Sequence, residues 1–125
     1  MGWLEARVAE IRQRMTPDDD GSHWSMFFDD PHDAPVIASA VDGAMNEMDD
    51  CLLRSIARII AEVPAPACLV AVIRQGGTPR PEDHQMWRDL KLQMRNSDKR
   101  LLGFVVVGAS ASWSCDVDGD LDTAA

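Results

Sequence analysis

Val72–Gln85, VIRQGGTPRPEDHQ, joins a run of apolar residues to an amphipathic helix pattern. Just upstream, Cys68–Ile73 is almost continuously apolar, as a strand covered on both faces requires. Downstream, a helix beginning near Pro81 places Glu82 and Asp83 in its first turn and buries Met86, Trp87, Leu90 and Met94. Acids at that end and Arg95 at the other both suit the helix dipole. Gly76-Gly77 and the prolines form the connection. A strand, a glycine-proline turn and a helix in this order predict an α/β domain, and such a turn commonly carries the site.

Working outward, Trp3–Met15 reads as a helix through Leu4, Val8, Ile11 and Met15, and Pro17 stops it. Trp24–Phe28 and Pro35–Val41 are strand candidates, separated by the Asp/Pro-rich DDPHDAP turn. Met45–Val63 is the longest helical pattern, with Met48, Leu52, Ile56, Ile59, Ile60 and Val63 on one face, and Pro64 and Pro66 end it. Leu101–Val107 reads as a second buried strand and Ala111–Cys115 as a last short one. The expected fold is α/β, a mixed β-sheet flanked by helices. Residues 1–115 form the single expected domain, and 116–125 an acidic tail expected to be disordered. The core should contain Leu52, Ile56, Ile59, Leu69, Val70, Val72, Trp87, Leu90, Val105 and Val107.

The chain has 125 residues and a net charge of -9, unevenly spread. Residues 1–50 hold 12 acids against 3 bases, residues 51–115 hold 5 acids against 9 bases, and the last ten add four aspartates. Such a charge repels nucleic acid overall, leaving only a local basic patch at Arg54, Arg58, Arg74, Arg80, Arg88, Lys91, Arg95, Lys99 and Arg100. No apolar run reaches the ~20 residues of a membrane span, and the opening MGWLEARVAE does not resemble a signal peptide. Three cysteines without paired spacing, two of them (Cys51 and Cys68) in apolar segments, are read as buried free thiols, and the expected location is cytoplasmic.

Chemistry-bearing residues are sparse. His23, His32 and His84 have no partner at zinc-ligand spacing, so no metal and no cofactor is expected. His23 and His32 lie in acidic loops and should face solvent, and His84 should be exposed in its helix's first turn. The aspartates at 116, 118, 120 and 122 miss the glycine and glutamate of a calcium loop. Arg74, Gly76, Gly77 and Arg80 could present an anion-binding loop at a helix start, although a plain strand-to-helix turn accounts for the same residues. Ser110, Ser112 and Ser114 have no histidine near them in sequence. Cys51 and Cys68 sit among apolar neighbours, which do not activate a thiol. Trp3 and Trp24, near the N-terminal edge, either cap the core or form an interface.

Residues 52–114 resemble the JAB/MPN-type domain of the bacterial RadC group, often linked to DNA repair. LVAVIRQGGTPRPEDHQMW follows without a gap the family's strand, Pro-Ser-Gly-Asp-Pro-rich turn and helix, with Gly77, Pro79, Arg80 and Pro81 matching the turn and Gly76 in place of its serine. Gly103–Val107 resembles the family's later strand and Ala109–Ser114 its closing strand. The resemblance implies a three-layer, cytidine-deaminase-like arrangement. It also places the family's zinc-binding histidines at Val72 and Arg74, its metal-binding aspartate at Gln85 and its helix-start serine at Glu82. None of those ligands is present, and metal-dependent hydrolysis lacks its first requirement.

The reading favoured from sequence is therefore a catalytically inactive JAB/MPN-like domain kept for protein association. It would act as a homodimer through Trp3 and Trp24 or with another protein partner. A hydrolase with chemistry relocated to Glu82, Asp83 and His84 is the enzyme alternative. Weak nucleic-acid binding through the basic patch is the third.

Overall fold

Every residue of the strand Ala67–Ile73 is buried. A strand of this kind needs cover on two sides, and the rest of the chain supplies it. The computed structural model describes residues 2–41, 50–115 and 119–120. In chain order these form α1 (Trp3–Arg14), a 3₁₀ turn (Pro17–Asp19), β1 (His23–Phe28), β2 (Ile37–Val41) and α2 (Asp50–Glu62). There follow β3 (Ala67–Ile73), α3 (Pro81–Gln93), β4 (Arg100–Val107), β5 (Ser112–Ser114) and β6 (Gly119–Asp120). The expected α/β fold with a mixed sheet is what the chain adopts.

The sheet order is β2-β1-β3-β4-β5-β6. Among the described strands only β3 and β4 are parallel neighbours; the crossover that a parallel pair demands is α3. All other neighbours are antiparallel. Gly119–Asp120, within the stretch expected to be an acidic tail, pairs with β5, and the remainder of that stretch lies outside the described residues.

Alternation along β3 divides the core in two. Cys68, Val70 and Val72 pack with Leu53, Ile56, Ala57 and Ile60 of α2 and Met86, Trp87 and Leu90 of α3. Ala67, Leu69, Ala71 and Ile73 face Val8 and Ile11 of α1. In β4 the alternation is broken once. Cys68 pairs with Leu101 but Leu69 with Gly103, so Leu102 is an extra residue. Gly103 has φ +153°, a conformation that side-chain-bearing residues rarely adopt. The extra residue resets the phase: Leu101 and Phe104, three apart, share the α2/α3 face, and Leu102 and Val105 share the α1 face.

Most of the expected core is found, with one correction and one residue undescribed. Ile59 is 37% exposed. The inward stripe of α2 is Leu53, Ile56, Ala57 and Ile60, spaced three, one and three, and Ile59 lies beside that stripe rather than on it. The side chain of Leu52, and residues 45–49 of the expected longer helix, lie outside the described residues. Beyond Glu62, the Lys99 ammonium reaches back to the Val63 carbonyl and, at 2.7 Å, to that of Ala65. This satisfies acceptors that a helix end leaves free.

Trp3 and Trp24 are both half-buried against the α1 face of the chain's own sheet. The Trp3 indole N–H donates to the Pro31 carbonyl; its ring meets Phe28 at 5.6 Å. The exposure that motivated a tryptophan-mediated dimer is thus relieved within one chain. Cys51 is exposed, contrary to expectation, because it projects from the outer side of α2, while Cys68 and Cys115 are buried. Burial pushes the Cys68 thiol up to about 12, which leaves it inert.

The two isoleucines of α2 make the packing testable. Ile60→Ala, at a fully buried position, should cost about 2–5 kcal/mol in urea unfolding, whereas Ile59→Ala should cost about 1 kcal/mol or less.

Candidate functional site

The connection after β3 begins with an arginine that continues the α2/α3 side of the strand. Arg74 is two residues beyond Val72 and only 2% exposed. Its backbone N–H extends the parallel ladder to the Val107 carbonyl at 3.1 Å. A guanidinium so placed must find a carboxylate, because it is never deprotonated. Asp83, completely buried in the first turn of α3, is that carboxylate. Arg74 Nη2 donates to Asp83 Oδ1 at 2.6 Å and Nε donates to Oδ2 at 3.1 Å, a bidentate pair. Asp83 Oδ2 also accepts the Arg80 backbone N–H at 2.9 Å, capping a helix whose first residue is Pro81.

The turn itself is closed from above. Gly77 has φ +71°, and a Cβ there would lie 2.2 Å from the Ala111 carbonyl oxygen. A Cβ on Gly108 would in turn strike the backbone of Gly77 at 2.5 Å. The β3–α3 and β4–β5 connections therefore meet backbone to backbone at the carboxyl end of the parallel pair. In open α/β sheets that end is where a ligand crevice usually opens. Here Gly77 and Gly108 close the two connections onto each other, and the space that remains lies on the α1 side. Arg12 of α1 ties the same β4–β5 connection from the other face, donating from Nε to the Gly108 carbonyl at 2.9 Å and from Nη2 to Ser112 Oγ at 2.5 Å.

The sequence candidates are dispersed by this geometry. Glu82 is exposed, Asp83 is consumed by Arg74 and Arg80, and His84 is half-buried. Successive helical residues diverge by about 100°, so three in a row do not converge on one substrate. Of the anion-loop residues, Gly76 faces open space, Gly77 is packed on Ala111, Arg80 is exposed and Arg74 is buried against its carboxylate. Gln85 lies on the outer side of α3, donating to Asp89 at 2.8 Å and accepting from Arg88 at 2.8 Å. Val72 is pure core. Among the described residues no group of three His, Cys, Asp or Glu side chains could hold a metal ion, and the zinc of the family resemblance does not fit Val72, Arg74 and Gln85.

The basic patch is also thinned. Arg74 is buried, Lys99 caps α2, and Arg58 is paired with Glu62 at 2.9 Å. Arg54, Arg88 and Lys91 remain exposed on the outer surface of α2 and α3, and Arg80, Arg95 and Arg100 are exposed outside the two helices. A recess of about 420 Å³ opens on the α1 side, between Arg12, Met15, Thr16, Ile73, Gln75 and Ala109. Its hydroxyl, on Thr16, is hydrogen-bonded to Asp19, and no acid/base pair lines it.

His23 differs most from expectation. The acidic residues before it suggested a solvated loop, yet it is the first residue of β1, 2% exposed and in register with Val72. Its Nε2 has no hydrogen-bond partner among the described residues. Burial lowers its pKa to about 4, so the imidazole is neutral in the fold. Arg12, too, carried no sequence signal beyond its place one residue after the buried Ile11. Compared with known proteins, the chain matches no family model and no curated sequence.

Two expectations follow. Arg74→Met alone leaves Asp83 as an unpaired buried charge and should cost about 3–5 kcal/mol, while Arg74→Met combined with Asp83→Leu should recover most of that loss, read by chemical denaturation. For His23, the unfolded chain takes up a proton near pH 6.5 and the folded chain only near pH 4. Stability is therefore complete above pH 6.5 and falls as pH drops towards 4, by about 3 kcal/mol in total. His23→Leu should remove that increment from the pH profile of the unfolding midpoint.

Proposed function

We propose that this chain is a catalytically inactive JAB/MPN-like domain that serves as a protein-association module. The observation that carries the reading is the buried Arg74–Asp83 pair, with its 2.6 Å and 3.1 Å contacts, at the end of β3. In the family that Val72–Gln85 resembles, this strand end carries a zinc ligand. A guanidinium cannot donate an electron pair to a metal, and its fixed positive charge opposes a divalent cation at the same place. The one carboxylate within reach is already neutralised. The structural work of the site, joining strand end to helix start, is retained by an ion pair that has no open coordination position and is itself shielded from solvent. Gly77 and Gly108 keep their backbone contacts for the same reason: they hold the β3–α3 and β4–β5 connections together.

Support for association comes from the β2 edge of the sheet, where β2 is bordered on one side only among the described residues.

Zinc content tests the reading directly. After equilibration with excess zinc and exhaustive dialysis, elemental analysis should find below about 0.1 zinc per chain. Stoichiometric zinc retained by the protein, and lost in an Asp83→Asn variant, would overturn it.

A further inference from the structure

The β2 edge stands out among surfaces the site does not use. β2 pairs with β1 and, among the described residues, has no neighbour on its other side. Residues Ala34–Val41, APVIASAV, contain no charge at all. Val36 is 52% exposed and Ile37 43%. Free strand edges are normally blunted by lysine, by an internal proline or by a bulge. This one has a proline only before the strand and a regular register throughout its length.

On the α1 face, the small side chains of Ala38 and Ala40 stand opposite Met26 and Trp24. They leave a recess of about 370 Å³ lined by Ile11, Trp24, Met26, Val36 and Ala38, with Glu10 and Arg14 at its rim. The Trp24 indole nitrogen is buried there without a hydrogen-bond partner among the described residues.

Charge selects the occupant. Residues 16–35 hold six aspartates and no lysine or arginine. Three of them, Asp29, Asp30 and Asp33, form the exposed turn leading into β2, and no Lys or Arg side chain pairs with their carboxylates among the described residues. A second copy, pairing antiparallel about a two-fold, would set the Asp29–Asp33 turn of each chain at the end of the other's β2 where Asp18–Asp20 lead into β1, acid towards acid, and would be repelled. We infer that the β2 edge receives an extended segment of a partner protein, adding one strand to the sheet. That segment carries a bulky apolar residue directed at the Trp24 recess and Lys or Arg beside the Asp29–Asp33 turn. Main-chain hydrogen bonds to the free edge give affinity, the recess and the acids give selectivity. This deepens the association reading and rests on it for the kind of partner. Its readout is independent of zinc, so the two can fail separately.

The test uses the full chain, isotope-labelled, and two synthetic peptides, Lys-Lys-Thr-Val-Phe-Val-Thr-Lys-Lys and the same sequence with glutamate in place of each lysine. Amide exchange of the β2 residues is followed by NMR. The lysine peptide should slow exchange at the outward-facing β2 amides at least about tenfold, an effect lost in high salt and absent with the glutamate peptide. Ala38→Lys, checked for folding by its unchanged β3 and β4 amides, should abolish the protection. Three results would overturn the proposal: no protection by the lysine peptide, equal protection by both peptides, or protection already present in free protein of doubled mass by light scattering. The last would assign the edge to a second copy.

Discussion

β3 has no solvent-facing side: α1 lies over Leu69 and Ile73, and α2 with α3 lies over Val70 and Val72. That single constraint organises the molecule. A strand buried on both faces can offer only apolar side chains along its length, so any polar group on its line must appear where the strand ends. Arg74 is that group. It emerges on the α2/α3 side before the chain has cleared the core, and the first turn of α3 must return a carboxylate to meet it. The same carboxylate caps α3, so strand end, helix start and core boundary are set by one pair of side chains.

This arrangement also shapes the carboxyl end of the parallel pair. A site at the carboxyl end of a parallel pair needs space between the connections and groups that face it. Here the connections touch through Gly77, Gly108 and Ala111, and the ionisable groups beneath them satisfy one another. Buried ion pairs of this kind contribute little net stability relative to apolar replacements, but they are unforgiving of losing one member. They specify how elements meet.

Sequence reading reached the fold because its decisive signals are one-dimensional. Continuous apolar runs at 68–73 and 101–107, prolines after α2 and at the start of α3, and acids in the first turn of α3 each carry their meaning locally. The errors fall where the meaning is spatial. Ile59 satisfies a helical period that is one position too generous, and only the width of the groove above the sheet decides which isoleucine is inside. His23 follows three aspartates and a glycine in the sequence, yet pairing with Val72 carries it under the helices. Cys51 has apolar neighbours on a helix whose outer side it shares with Arg54. The Arg74–Asp83 pair spans nine residues, close enough to suspect, but nothing in the spelling distinguishes a buried pair from two solvated charges. Arg12 and Ser112, a hundred residues apart, are beyond any local signal.

The irregularity in β4 has a consequence for how this sequence can diverge. Because Leu102 is a residue without a pairing partner, the chain before it and the chain after it run in opposite phase against β3. Loss of Leu102 would restore one-to-one pairing, with Leu101 opposite Cys68 and Gly103 opposite Leu69, and would leave Phe104, Val105, Val106 and Val107 on the faces they now hold. It would remove only a side chain from the α1 face and the local bend that an extra residue introduces. A relative that aligns here with a one-residue gap can therefore share this core. Loss of a residue within Phe104–Val107 has no such outlet, because every side chain beyond it would change face; descent is free to edit this strand at its irregularity and nowhere else along it.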